Sequence, residues 1–439
     1  MRFRCAGLLV FAFILMNSNA HSQSQGYSDY VWYFGQSGTG ISFNKQFDDP
    51  ETVDLPTGFQ PEGNVAIATD PVTGNILFYS NGQNIFDASN QVMLNGNING
   101  NSNTIQNLGL APVADNEDQY LLFYTEANEV LAATVDMSRA GNASSNPDPH
   151  APPLGEVSNI QTVFSGAIND AMIVIPGPGL LQYWLIFQET ATNDLQFYNI
   201  ASNGTITLGG TTPMTLASVV RNLSFTLLEN GNYLIATSTA TPDQNSQLFR
   251  FDPVNGSLIF DRSIANSGSP QGIFDTEWVN DTLMLFSREN NVFYYNLADE
   301  FASLTPVISE TLDENYALQY GPDSLIYFLY ERNGNTEVAS MADSLPDEID
   351  YELALMNGQD FDGIQFPVFL PPVQRNIPVN FTFTDLCLNN PTLFFPDIPV
   401  SPRNVAWDFG DGNFSGLTAP IHTYEDTGPY TLPLVVEVA

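Results

Sequence analysis

A single lysine, Lys45, serves all 439 residues, and arginine brings the basic total only to 11 against 49 acidic side chains. The resulting formal net charge of −38 repels phosphate backbones and anionic lipid, which excludes nucleic acid as a partner. Its plain consequence is solubility. Its sharper one is a surface that could collect Ca²⁺ through carboxylate and amide oxygens, and no other cofactor is expected. Cysteine is nearly absent, with Cys5 in the first few residues and Cys387 as the other. That excludes a disulfide framework within the mature chain.

Histidine is equally scarce. His21, His150 and His422 form no metal-spaced set, and no Cys pair or Asp-x-Asp-x-Asp-Gly loop accompanies them. There is no Gly-x-Ser-x-Gly nucleophile elbow and no phosphate-binding glycine loop. Helix formers at 3.6-residue spacing are lacking beyond the first two dozen residues, so an all-β chain is expected. Outside the N-terminus no apolar run approaches the length of a membrane span.

The N-terminus itself reads as a secretory signal peptide over residues 1–20. Arg2 and Arg4 form the positive region, Leu8 to Met16 the apolar one, and Ser18-Asn19-Ala20 the cleavage site. The mature chain is therefore expected outside the cell, secreted or at the surface, without a membrane span.

What the sequence does have is hairpins. In Gly74-Asn75-Ile76-Leu77-Phe78-Tyr79-Ser80-Asn81-Gly82-Gln83-Asn84-Ile85-Phe86, two runs of β-formers flank Ser80-Asn81-Gly82. Asn-Gly tolerates the positive φ that a two-residue turn demands, so this is a hairpin with Asn81-Gly82 at its tip. Similar hairpins recur from Tyr120, Tyr183, Tyr233, Thr282 and Leu325, spaced roughly 40–50 residues apart, the period of four-stranded propeller blades. Asp70-Pro71-Val72-Thr73-Gly74 and Asp252-Pro253-Val254-Asn255-Gly256 repeat one turn design. Asp accepts backbone hydrogen bonds, Pro fixes φ, and Gly takes the left-handed position. The Asn/Gly-rich stretch from Asn95 to Asn103 reads as a surface connection, and Arg139 to Pro153 as an inserted loop.

From Asp360 the texture changes, and Phe366-Pro367-Val368-Phe369-Leu370-Pro371-Pro372 reads as a linker that breaks regular pairing. The predicted organisation is a β-propeller-like domain of about six or seven blades over residues 26–370. A linker over 371–378 leads to an immunoglobulin-like β-sandwich over 379–439.

The sandwich carries the most specific motif, Trp407-Asp408-Phe409-Gly410-Asp411-Gly412, followed by Pro420, His422, Tyr424, Gly428 and Tyr430. It closely resembles the polycystic kidney disease (PKD) domain. Trp407 and Phe409 alternate inward on a strand, and Gly410-Asp411-Gly412 turns the chain. Burying the indole is worth about 4–6 kcal/mol at most, a structural reason for the Trp with no catalytic task.

The larger region is similar to the N-terminal part of gliding-motility-associated surface proteins of Bacteroidetes-type bacteria, which the type IX secretion system exports. Trp32-Tyr33-Phe34-Gly35, Gly40-Ile41-Ser42-Phe43-Asn44, Glu62-Gly63, Gln91-Val92-Met93-Leu94-Asn95-Gly96 and Asp362-Gly363-Ile364-Gln365-Phe366-Pro367 carry that likeness, together with Gly74 to Tyr79. In that family a sorting domain follows the PKD modules, so a chain stopping at Ala439 is expected to be truncated. The resemblance also implies a second Cys beyond this point as a partner for Cys387.

The expected function is a non-enzymatic exported binding or adhesion protein. Propeller loops would meet protein or carbohydrate ligands, and the PKD module would act as spacer or interaction domain. One alternative is a propeller glycoside hydrolase using a carboxylate pair, for which Asp70, Asp275 and Glu277 are the candidates by loop position. Another is a structural component of a surface assembly. On the leading expectation there are no catalytic, cofactor or metal residues.

Overall fold

The computed structural model describes residues 29–43, 50–71, 73–145, 152–214, 219–242, 244–266, 272–299, 302–342, 350–372, 380–384, 388–397, 402–426, 430, 432 and 434–438. The proposed leader, Lys45, His21, His150, Cys387 and Gly428 lie outside the described residues. Ala20–Gln374 and Arg375–Ala439 fall into different compact units.

The larger unit is a propeller-like ring of up-and-down blades. Six inner strands, Ala66–Thr69, Gly109–Val113, Ile168–Pro176, Val220–Leu227, Asp275–Trp278 and Glu314–Tyr320, each lead a set of four antiparallel strands. The first two blades join through a parallel bridge between Leu94 and Glu156, and the short strand Val368–Phe369 adds the ninth strand at the edge beside Ala66–Thr69. Strands with both faces apolar must be covered on both sides, and each blade does this for its neighbours. One core cluster joins the first and second blades through Phe78 and Leu122. Another joins the second and third through Phe123 and Phe187. The third and fourth meet through Ile186 and Ile235, the fourth and fifth through Leu248 and Trp278, and the fifth and sixth through Leu285 and Phe328.

The remaining gap is filled by the two ends of the unit. Val31–Trp32, Thr39–Phe43 and Pro50–Asp54 form a three-stranded sheet packed between the sixth blade and the first. Trp32 lies 5.2 Å from Tyr327 of the sixth blade and 4.9 Å from Phe366. Phe34 stacks on Phe361 at 5.1 Å, and the Gln36 amide donates to the Asp362 carbonyl. Gly35 has φ +71°, and a Cβ there would lie 2.1 Å from the Phe361 carbonyl oxygen. Only glycine lets the two segments approach so closely. The Trp32–Gly35 and Asp362–Pro367 stretches that carried the sequence likeness thus meet to close the ring.

Three sequence expectations change here. Phe366 to Leu370 is no linker. Phe366, Phe369 and Leu370 are buried, and Val368–Phe369 pairs in parallel with Ala66–Ile67 at the axis. Pro367 and Pro371 flank this strand and leave its pairing intact. The turn in the opening hairpin sits one residue later than expected. Asn81 and Asn84 face each other, leaving Gly82-Gln83 at the tip with Gly82 at φ +85°. The Asn81 side chain instead accepts hydrogen bonds from the Gln83 and Asn84 amides. The Asn/Gly-rich connection is partly interior, since Ile98 and Gly100 are buried and a Cβ at Gly100 would lie 2.4 Å from the Gly82 carbonyl oxygen.

The repeated Asp-Pro turns form as designed. The Gly74 amide donates to the Asp70 carbonyl and the Thr73 amide to its carboxylate. Gly256, Val254 and Asn255 do the same at Asp252. Within the inserted loop, Gly141–Ser145 forms a 3-10 turn, and Asn142 bonds back to Asp87 and the Val92 carbonyl.

The smaller unit is a sandwich of two three-stranded sheets. One holds Asn380–Phe383, Pro391–Asp397 and Ile421–Thr423; the other holds Phe414–Ser415, Pro402–Asp408 and Leu434–Val438. Phe394, Trp407, Phe409, Tyr424 and Leu434 form its core.

Candidate functional site at the mouth of the ring

Leu108, Leu110, Met172, Val174 and Phe225 converge on Val368 and Phe369 around a cavity of about 30 Å³. That volume holds a water or two and no ligand. Gln106 crosses from the second blade to the fourth, donating to the Leu223 carbonyl at 2.9 Å and accepting from the Leu223 amide at 2.8 Å. Charged residues gather at the end where the inner strands begin.

Three inner strands break register there, between Ile168 and Met172, between Val220 and Leu223, and between Asn315 and Leu318. A bulge adds a residue to one strand and re-aims the side chains around it, which is why bulges gather near functional sites. Asp170, Arg221 with Asn222, and Glu314 lie within or beside these breaks. Asp275 begins the intervening inner strand. Four successive blades therefore bring charged groups to one mouth.

Arg221 is the centre of the group. Its guanidinium lies 4.9 Å over the Phe274 ring, while Glu314, Asp170 and Asp275 all act on its charge. Burial pulls its pKa below the usual arginine value, and the three carboxylates oppose that pull. Among the described residues no hydrogen bond or ion pair satisfies the guanidinium; the Phe274 ring is its packing partner.

The carboxylates differ. Both oxygens of Asp275, which is 5 % exposed, are engaged by backbone. Oδ1 accepts from the Thr276 amide at 2.7 Å, and Oδ2 from the Leu318 amide of the next blade at 2.9 Å. Burial pushes this carboxyl up to about 7, against those hydrogen bonds, the neighbouring Asn222 amide and the Arg221 charge. Asp275 thus buckles two blades together.

Asp170 and Glu314 are only half-buried and reachable. Burial also raises the Asp170 carboxyl, opposed by Arg221 and by the Asn107 amide, which donates to Oδ1 at 2.9 Å. Glu314 pairs across the sheet with Glu331, and both accept from the Tyr316 hydroxyl.

Two buried amide side chains lie beside these carboxylates, Asn107 at Asp170 and Asn222 at Asp275. Asn222 is 0 % exposed and Asn107 5 % exposed; Oδ1 of each, and Nδ2 of Asn222 as well, have no hydrogen-bond partner. A buried carbonyl oxygen without a donor costs about 1–3 kcal/mol, so such atoms mark a place built for something else. Among the described residues no three His, Cys, Asp or Glu side chains come close enough together to hold a metal ion. The carboxylates act on the Arg221 charge instead.

Of the carboxylates expected from loop position, only Asp275 belongs to this cluster. Asp275 and Glu277 lie within a strand and are buried, and Glu277 Oε1 accepts from the Trp278 amide. Asp70 sits in a turn at the opposite end of its inner strand. Asp170, Arg221 and Glu314 escaped sequence reading because charged residues in half-buried strands look like solvated faces. Charges recurring at the heads of successive inner strands were the signal that could have found them.

In the sandwich the described residues of the motif pack and hydrogen-bond within the module. Trp407 is 1 % exposed and donates from Nε1 to the Leu417 carbonyl, while Asp408 accepts from the Gly410 amide. Gly410 and Gly412 take φ of +75° and +90°. His422 stacks on Phe409 at 4.1 Å and its Nε2 lies 2.7 Å from Asp411. Tyr424 donates to the Phe409 carbonyl and Tyr430 to the Asp426 carbonyl.

Residues 395–438 match the family model described as the PKD domain. No curated protein matches the chain. Solved structures of similar shape include a "putative exo-beta-1,3-galactanase" from Bifidobacterium bifidum s17. It has 13% identity and a TM-score of 0.34, covering 61% of this chain and 93% of that one. A protein from Lactobacillus plantarum has 10% identity and a TM-score of 0.39, covering 93% and 99%. A "putative 6-phosphogluconolactonase" from Bacteroides uniformis ATCC 8492 has 10% identity and a TM-score of 0.40, covering 90% and 96%.

The expectation of a non-enzymatic chain is withdrawn: two of these structures are themselves described as enzymes, which is said of those proteins and carries no activity to this chain. Identities this low transfer no substrate or residue. What stands is the architecture: this is an all-β chain in which a propeller-like ring precedes a C-terminal PKD domain.

Proposed function

We propose that the chain is an exported glycoside hydrolase that holds a carbohydrate at the mouth of its ring and cleaves it between Asp170 and Glu314. The observation that carries this reading is Arg221, a largely buried guanidinium packed on Phe274 without an ion pair, on whose charge carboxylates of the third, fifth and sixth blades act. Such a group is prepared for a ligand rich in oxygen. Asp170, whose carboxyl burial keeps protonated to higher pH, is suited to protonate a departing glycosidic oxygen. Glu314, which also acts on the Arg221 charge, supplies the second carboxylate.

The PKD module serves as spacer or interaction unit, and the leader carries the protein to the cell exterior. The likeness to Bacteroidetes surface proteins supports the type IX route. The test is release of reducing ends by the full chain across a panel of neutral, acidic and amino polysaccharides. Activity should fall at least about 100-fold in Asp170→Asn and in Glu314→Gln. Failure to cleave any member of the panel refutes the reading.

A further inference from the structure

We propose that Gln188 is a positioning residue that sets the spacing of Asp170 and Arg221 by tying together the two strand breaks on which they sit. The inference rests on the hydrolase reading above and deepens it, because it names what holds the proton donor and the anchoring guanidinium in register.

A break in register disturbs the ladder around it, so the backbone there needs other partners. Asn169 and Asp170 lie within the break of the third blade, between Ile168 and Met172. Arg221 and Asn222 lie within that of the fourth, between Val220 and Leu223. A single oxygen serves both. Gln188 Oε1 accepts from the Asn169 side-chain amide at 2.6 Å and from the Val220 backbone amide at 2.8 Å. Asn169 precedes Asp170 and Val220 precedes Arg221. One acceptor therefore holds the chain neighbour of each functional side chain.

Gln188 is itself fixed. It is 0 % exposed on Tyr183–Glu189, the second strand of the third blade, and its Nε2 donates to the Asn193 carbonyl at 3.1 Å. With the amide nitrogen so held, Oε1 is left for the seam between the blades. Asn169 is oriented in turn by the Thr190 hydroxyl, which donates to its Oδ1 at 3.3 Å.

A second tie runs from the second blade. The Leu223 amide donates to Gln106 Oε1 at 2.8 Å, and the adjoining Asn107 donates to Asp170 Oδ1 at 2.9 Å. The Asn222 amide is held by Ser238 Oγ at 2.7 Å. Buried side chains thus clamp the backbone before and after Arg221. Gln188, with no exposed surface, cannot touch a substrate. It acts through its neighbours, and a displacement of about 1 Å between groups that must act together costs about 100-fold in rate.

The experiment is steady-state kinetics of full-chain variants on the polysaccharide that the parent cleaves best. Gln188→Met removes the acceptor and keeps the length of the side chain. Its kcat should fall at least about tenfold, with KM changed less than about threefold because Arg221 keeps Phe274 beneath it. Gln188→Glu, assayed at pH 5 where a buried carboxyl keeps its proton, retains a carbonyl oxygen for both donors and an O–H for Asn193. It should return to within about threefold of the parent at that pH. Trp184→Phe, near the other end of the same strand, removes the buried bond from Nε1 to the Pro253 carbonyl. It should lower the melting temperature and leave kcat unchanged. Should Gln188→Met fail to fold, Gln106→Met carries the same prediction of a kcat loss. Parental kcat in folded Gln188→Met, no recovery in Gln188→Glu, or an equal kcat loss in Trp184→Phe overturns this inference and leaves the hydrolase reading intact. A parent that cleaves no polysaccharide overturns both.

Discussion

Replacing Asp275 by Asn tests the electrostatics of the mouth through folding rather than through a ligand. Burial lifts the Asp275 carboxyl from 3.8 to about 7, so the folded ring binds its proton more tightly than the unfolded chain does. The stability it contributes is therefore complete below pH 3.8 and is lost as pH rises through about 7. Between pH 5 and pH 8 the linkage amounts to about 2.6 kcal/mol.

A carboxamide at this position does not titrate. It also presents an NH₂ to one of the two backbone amides that Asp275 now serves, a cost of about 1–3 kcal/mol that does not depend on pH. The prediction accordingly concerns the difference between the proteins. Relative to the parent, Asp275→Asn should gain about 2.6 kcal/mol between pH 5 and pH 8. Urea titrations read by hydrogen exchange of ring peptides, at both pH values, separate this from unfolding of the sandwich. A stability difference that is the same at pH 5 and pH 8 refutes the claim that a desolvated carboxyl buckles the fifth and sixth blades.

Gly82→Ala should destabilise the ring by about 1–3 kcal/mol, because φ is +85° and a Cβ would lie 2.2 Å from the Asn101 carbonyl oxygen; thermal melts followed by circular dichroism would show it. Trp407→Ala should cost about 3–5 kcal/mol in the sandwich alone, seen as a loss of hydrogen-exchange protection at Phe394 and Val405 with ring peptides unchanged. Burial opposes ionisation of Asp411, yet the His422 hydrogen bond and the Asn413 amide hold its carboxyl below the ordinary value. Its stabilisation is therefore present above pH 3.8 and lost as pH falls through the lower, folded value. Asp411→Asn should flatten the acid side of the sandwich's stability profile, measured by urea titration from pH 2 to pH 6.

The hairpins were legible in the sequence because turn chemistry is local. Asp70 to Gly74 and Asp252 to Gly256 needed only Asp, Pro and Gly at fixed offsets, and the Trp407 motif needed only alternation and two glycines. The closure of the ring was not legible, since Trp32 and Phe366 are distant in sequence and Pro367 made its surroundings resemble a linker. Nor was the mouth. Asp170, Arg221 and Glu314 owe their convergence to bulges at the heads of three strands, and an inserted residue leaves no compositional mark. Asp275 was found for the wrong reason, as a loop carboxylate, when it lies in a strand tied to the Leu318 amide.

If Arg221 anchors a carbohydrate at the mouth of the ring, removing its guanidinium must abolish tight binding. Calorimetric titration of Arg221→Ala and of Arg250→Ala, with the oligosaccharide that binds the parent best, measures this. Arg250 serves as control because it is exposed and pairs with Asp261. At least about a 100-fold loss of affinity is predicted for Arg221→Ala and parental affinity for Arg250→Ala, with both proteins folded by circular dichroism. Parental affinity in Arg221→Ala, or equal losses in the two variants, would contradict an anchoring role for Arg221.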